Sequence, residues 1–120
     1  MILGHVRDNL PRVMLALPGY DGPVNVEFVV DTAFEGDLAL PQSILDHVES
    51  VFRGNRLVRL ADGSLRYRDY YEIVLEWEEE ERLTEVALMD NEPLLGVELM
   101  AGYLLQVELE DGGEVSLEPL

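Results

Sequence analysis

The strongest constraint in this chain is apolar–polar alternation of period two, broken by turn signals at regular spacing, which commits it to β-strands. Val13 to Leu17 is a short apolar run ended by Pro18-Gly19-Tyr20-Asp21-Gly22-Pro23, a strong turn cluster. Val24 to Val30 then alternates and becomes continuously apolar at Phe28-Val29-Val30, as a strand does on entering a core. Together these runs predict a hairpin. Arg56–Leu60 and Leu65–Trp77 flank Asp62-Gly63, which is expected to form a type I′ turn. Thr84–Met89, Tyr103–Leu109 and Val115–Leu117 supply further strands, the last two joined through Glu110-Asp111-Gly112-Gly113. Two stretches look helical. Pro41 opens 41–49, with Ile44, Leu45 and Val48 on one face, and Val97–Ala101 can make one or two turns capped by Gly102.

No linker, repeat or low-complexity segment divides the 120 residues, so a single domain over 1–120 is expected. Hydrophobic residues make up 48% of the chain, which argues against disorder. The formal charge is −17, from 25 acidic residues against eight basic ones, all arginine. Such a field repels phosphate backbones and argues against nucleic acid as a partner. It suits a solvated surface or a basic substrate. No charged stretch followed by an apolar one resembles a secretion signal at the N-terminus. No apolar run approaches the ~20 residues of a membrane helix. A cytoplasmic protein without a membrane partner is the expectation.

Elimination narrows the chemistry. The absence of cysteine removes disulfides, thiolate metal sites and Cys nucleophiles, and the absence of lysine removes Schiff-base mechanisms. His5 and His47 stand far apart in no metal-ligand spacing. Ser43, Ser50, Ser64 and Ser116 occupy no Gly-x-Ser-x-Gly elbow. Glu78 to Glu81 lack the alternating oxygen ligands and turn glycine of a calcium loop and read as a solvated hairpin tip. Carboxylate chemistry remains. Asp31 follows the apolar end of a strand, an uncomfortable place for a charge. It either caps backbone N–H groups of a turn or is kept there for reaction.

Phe28-Val29-Val30-Asp31-Thr32-Ala33, with Leu38-Ala39-Leu40-Pro41 downstream, resembles the active-site segment of retropepsin-like aspartic proteases, in which an apolar strand delivers Asp-Thr-Gly or Asp-Ser-Gly. Leu60-Ala61-Asp62-Gly63-Ser64 looks like the flap hairpin that closes over substrate. Leu94-Leu95-Gly96, with Val97-Glu98-Leu99-Met100, looks like the apolar-apolar-Gly element and short helix that pack beside the catalytic strand. The landmarks appear in the family's order over roughly 13–117 and are most similar to small bacterial members. The resemblance implies an all-β, small closed barrel-like acid-protease fold with a flap hairpin and one or two short helices.

It also implies a mechanism. Two carboxylates share one proton, one activating water and the other donating to the substrate carbonyl. The sequence holds one Asp-Thr, so the second carboxylate comes from a second copy, with Asp31 facing Asp31 on a two-fold axis. Thr32, by resemblance, locks the two loops across that axis. Substrate would be a peptide or protein segment lying extended under the flaps, with backbone contacts from Leu60–Ser64. Neither metal nor organic cofactor is implied. The chain departs from the family at Ala33, where the usual residue is Gly. The added methyl stands close to dyad and substrate. Two rivals stay open: a noncatalytic dimeric peptide-binding module, and a monomeric small β-barrel that binds a ligand. Asp62 reads as a turn residue in its own right, and Tyr67, Tyr70 and Tyr71 as strand packing before pocket lining.

Overall fold

The computed structural model describes residues 1–120. Ten strands and one helical turn follow in the order β1 (Ile2–Arg7), β2 (Leu10–Leu17), β3 (Val24–Val30), β4 (Leu38–Leu40), α1 (Gln42–Leu45), β5 (Val51–Arg59), β6 (Leu65–Trp77), β7 (Glu80–Leu88), β8 (Leu94–Leu95), β9 (Tyr103–Val107) and β10 (Glu114–Pro119). The all-β expectation holds. The strands form one sheet in the order β5-β6-β7-β4-β8-β3-β2-β1-β10-β9. Its two edges, β5 and β9, do not pair, so the sheet is not closed into a barrel. The closed form expected from the sequence is corrected on this point.

Most neighbours are antiparallel hairpins built by local turns. β2 and β3 pair from Arg12↔Val29 to Leu17↔Val24 across the Pro-Gly-rich turn. β6 and β7 meet at Trp77↔Glu80, leaving Glu78 and Glu79 as a two-residue turn with φ of 52° and 71°. Asp8 and Asn9, at φ 53° and 62°, make the same kind of turn between β1 and β2. Positive φ at both central residues defines the type I′ turn, whose twist matches that of its strands. The parallel pairings are fewer and sit at the centre. The two-residue β8 pairs in parallel with β3 (Val29↔Leu94, Val30↔Leu95) and antiparallel with β4 (Leu38↔Leu95, Ala39↔Leu94), while β4 runs parallel to β7. The short late strand β8 is therefore inserted between β3 and β4, immediately beside the end of β3.

Alternation along each strand aims one face inward. In β6 the pattern changes along its length. Leu65 to Tyr67 are exposed, whereas Ile73, Leu75 and Trp77 are buried with exposed residues between them. The first half projects from the body as a hairpin arm with β5, and the second half joins the core. That core is a cluster of 20 buried residues including Phe28, Leu38, Leu40, Leu75, Leu95 and Leu117. Burying each large side chain there contributes roughly 1.5–3 kcal/mol. A smaller cluster of Phe34, Ala39, Ala87 and Met89 lies beneath the β5–β6 arm, whose Val58 and Leu60 pack against it.

The local reading is corrected at several points, among them β7, which begins at Glu80 and not at Thr84. The helix expected over 41–49 is the single turn Gln42–Leu45, because Val48 leaves it to form a bridge with Gly19. Residues 97–101 make turns without a helix, although Gly102 does adopt a positive φ of 84°. β5 begins at Val51 and not at Arg56, and β1 was not anticipated. At the arm's tip only Gly63 has positive φ (85°). Gly63 N–H donates to the Leu60 carbonyl at 2.9 Å, and Leu60 N–H to the Ser64 carbonyl at 2.8 Å. This is a three-residue loop closed by a left-handed glycine, not a type I′ turn. No helix is long and apolar enough to cross a membrane.

Candidate functional site

Asp31 sits one residue past the end of β3, held there by backbone bonds on both sides. Its N–H donates to the Leu95 carbonyl at 2.9 Å, and its carbonyl accepts from Phe34 N–H at 3.2 Å. The first bond extends the β3–β8 pairing by one step, and the second closes a tight turn through Thr32 and Ala33. Asp31 is half-buried, whereas Thr32 and Ala33 are exposed. Asp31 Oδ1 accepts the Ala33 N–H at 2.9 Å, so the methyl at position 33 leaves that contact intact. The uncomfortable carboxylate at the strand end is thus partly satisfied by its own turn.

The following loop is fixed from outside. Gly96 N–H donates to the Asp37 carbonyl (2.8 Å), Val97 N–H to the Phe34 carbonyl (3.0 Å) and Glu98 N–H to the Gly36 carbonyl (3.2 Å). The approach is so close that a Cβ at position 96 would lie 2.1 Å from the Gly36 carbonyl oxygen. Only glycine fits there. The segment Leu94-Leu95-Gly96 therefore positions both the Asp31 turn and the loop that follows it.

A cleft of about 420 Å³ opens beside this turn. One wall carries Asp31, Ala33 and Phe34, and the opposite wall carries Leu60, Ala61 and Asp62 from the β5–β6 arm. Of the residues singled out in sequence, these five (Asp31, Ala33, Leu60, Ala61, Asp62) come together; Thr32, Gly63 and Ser64 lie outside the lining. Asp62 is occupied locally. Its Oδ1 accepts both the Ser64 hydroxyl and the Ser64 N–H. Those hydrogen bonds, the hydroxyl's foremost, lower its pKa from the ordinary 3.8. Tyr67 is exposed, Tyr70 lies under the Arg56 guanidinium at 4.3 Å, and Tyr71 meets Phe52 edge-on at 5.4 Å. None of the three lines the cleft.

Sequence reasoning missed Phe34, Arg59, Arg68, Met89, Asp90 and Asn91, which together with Leu94 of β8 complete the lining. For Arg68 the signal was present. It pairs across the arm with Arg56, and Val58 pairs with Arg66, so period two places Arg68 on the Val58–Leu60 face. A larger cleft of about 700 Å³ adjoins at Phe34 and Arg59 but contains none of the expected site residues. Its charges are mutually compensated. Arg56 is paired to Glu85, which raises its pKa, and Arg82 lies 3.8 Å from Asp37 and donates to the Glu98 carbonyl. The smaller cleft, with the Asp31 carboxylate in its lining, is the candidate site. No family model, curated protein or solved structure matches the chain.

Proposed function

We propose that the chain is an aspartic-type endopeptidase that acts as a homodimer, Asp31 of each copy contributing one carboxylate. The observation that carries this reading is the shared cleft, in which Asp31 and Ala33 face Leu60, Ala61 and Asp62 of a projecting hairpin. The insertion of β8 beside β3 and the glycine packing at Gly96 support it, since they fix the carboxylate at a strand end instead of on a free loop. In the proposed reaction the ionised carboxylate takes a proton from water as its oxygen attacks the peptide carbonyl carbon. The protonated carboxyl gives its proton to the carbonyl oxygen, and collapse of the adduct expels the amine with a returned proton. The water-activating base is itself a side chain, so the reading needs neither metal nor organic cofactor. It keeps the retropepsin-like fold, a peptide substrate and a cytoplasmic setting as parts of the same proposal.

One observation favours a second reading. The hydrogen bond from Ala33 N–H to Asp31 Oδ1 is what a turn-capping carboxylate makes, which suits a dimeric peptide-binding module without chemistry. Cleavage of a broad peptide library by the wild-type chain and by Asp31→Asn, with sedimentation of both, separates the two. The endopeptidase reading expects cleavage that vanishes in Asp31→Asn while the dimer persists. Equal activity in the two proteins overturns it.

A further inference from the structure

Arg68 stands apart from the other cationic groups of the molecule. Six of the eight arginines are in ion pairs, namely Arg7, Arg12, Arg53, Arg56, Arg59 and Arg82. In a chain of charge −17, carboxylates are plentiful and an unpaired arginine is unexpected. Arg66 and Arg68 are the two exceptions. Arg66 is exposed and outside the cleft, whereas Arg68 is half-buried and lines it. Its one hydrogen bond is from Nη1 to the adjacent Tyr67 carbonyl at 3.0 Å. The cleft's own carboxylates do not serve it. Asp31 accepts from Ala33, Asp62 accepts from Ser64, and Asp90 is exposed without pairing to it. Arg59, which also lines the cleft, is held only by a loose contact of 3.8 Å to Glu35.

A partly desolvated guanidinium is costly without an anionic partner, and its planar fork of donors matches a carboxylate better than any other protein group. We propose that Arg68, assisted by Arg59, is a specificity-determining residue that receives a carboxylate of the bound peptide, so that the preferred substrate is acidic close to the bond over Asp31. The inference rests on the endopeptidase reading for its substrate class, not for its chemistry. The carboxylate has two possible sources, a Glu or Asp side chain or the free C-terminus of the peptide.

Fluorescence anisotropy on the full-length Asp31→Asn protein tests this without cleavage. The probes are labelled neutral octapeptides carrying one Glu, or Gln at the same place, at each position in turn. A neutral peptide with a free or an amidated C-terminus completes the set. A charge-assisted contact predicts that Glu at one position, or the free C-terminus alone, binds roughly ten- to a hundredfold tighter than its neutral counterpart. Added Arg68→Met should abolish that gain, Arg68→Lys should keep part of it, and Arg66→Met should leave it unchanged. Equal binding of acidic and neutral peptides throughout overturns the proposal. So does a gain that survives Arg68→Met, or one that Arg66→Met removes equally. An Arg68-dependent gain in a protein whose wild-type form cleaves nothing upholds carboxylate recognition and rejects the hydrolase. Cleavage without acidic preference does the reverse, and failure of every peptide to bind counts against both.

Discussion

A methyl group at position 96 would stand 2.1 Å from the Gly36 carbonyl oxygen and 2.7 Å from the Phe34 ring, both fixed parts of the loop after Asp31. Gly96→Ala is therefore expected to destabilise the chain by roughly 1–3 kcal/mol through overpacking, read as a lower urea midpoint with an unchanged slope. Ala33 is the opposite case, exposed and free of crowding within one chain. Ala33→Gly should cost up to about 1 kcal/mol in backbone entropy and raise cleavage if the methyl crowds the dimeric site. An unchanged rate would show that it does not. Asp62 gives a prediction in pH. Its pKa is lowered by the Ser64 hydroxyl and then the Ser64 N–H, so the ionised form supports the folded tip. That support is fully present above the ordinary 3.8 and is lost as pH falls through the lowered folded value. Carboxyl-carbon NMR titration should show the Asp62 midpoint rising toward 3.8 in Ser64→Ala. Asp31 and Asp62 were legible in sequence because each follows or precedes an unmistakable local signal. Phe34 was not, since its role depends on the arm folding back over the loop, a long-range contact no local pattern encodes; for Arg68 period two gives the face of the arm but not that this face closes the cleft.

At the level of elements, strands framed by strong turns were read almost to the residue. β3 and β6 match their sequence limits, the first because a Pro-Gly cluster precedes it and the second because glycine and a charged tip bound it. β1 escaped because only Val6 of its six residues is buried, so its alternation carries little apolar signal. Its hairpin turn was nevertheless written in Asp8-Asn9, residues that tolerate the left-handed region. The expected helix over 41–49 failed because a bridge from Val48 to Gly19 competes with helical bonding. The β6–β7 turn is less well matched to its sequence, with Glu78 and Glu79 both left-handed. Glu79→Gly should remove the steric cost and one of several like charges, for a net stabilisation of about 0.5–1 kcal/mol. A higher thermal midpoint would confirm it, and a lower one would show that the Glu79 side chain contributes something the turn geometry does not reveal.

For the whole molecule the order of strands was legible at one place only, where the resemblance puts Leu94-Leu95-Gly96 beside the strand that ends at Asp31 and β8 does pair with β3. Alternation says which residues face inward but not that β8 slips between β3 and β4, nor that β5 and β9 stay apart. Charge acts at this scale as well. Bringing together two chains of −17 each costs repulsion. That cost falls as the chains lose negative charge toward pH 5, and as salt shortens the Debye length to ~3 Å at 1 M. Sedimentation should therefore show tighter dimers at pH 5 or in high salt than at pH 8 in low salt, and the reverse order would contradict the electrostatic argument. The proposed activity rests on two copies of Asp31 building one hydrolytic site. It is tested most directly by the peptide-cleavage rate of a fixed amount of wild-type chain as Asp31→Asn chain is titrated in. A dyad shared between two chains makes the rate fall toward zero as mixed dimers replace wild-type ones. A rate indifferent to the added variant, or no cleavage by the wild-type chain at all, would contradict it.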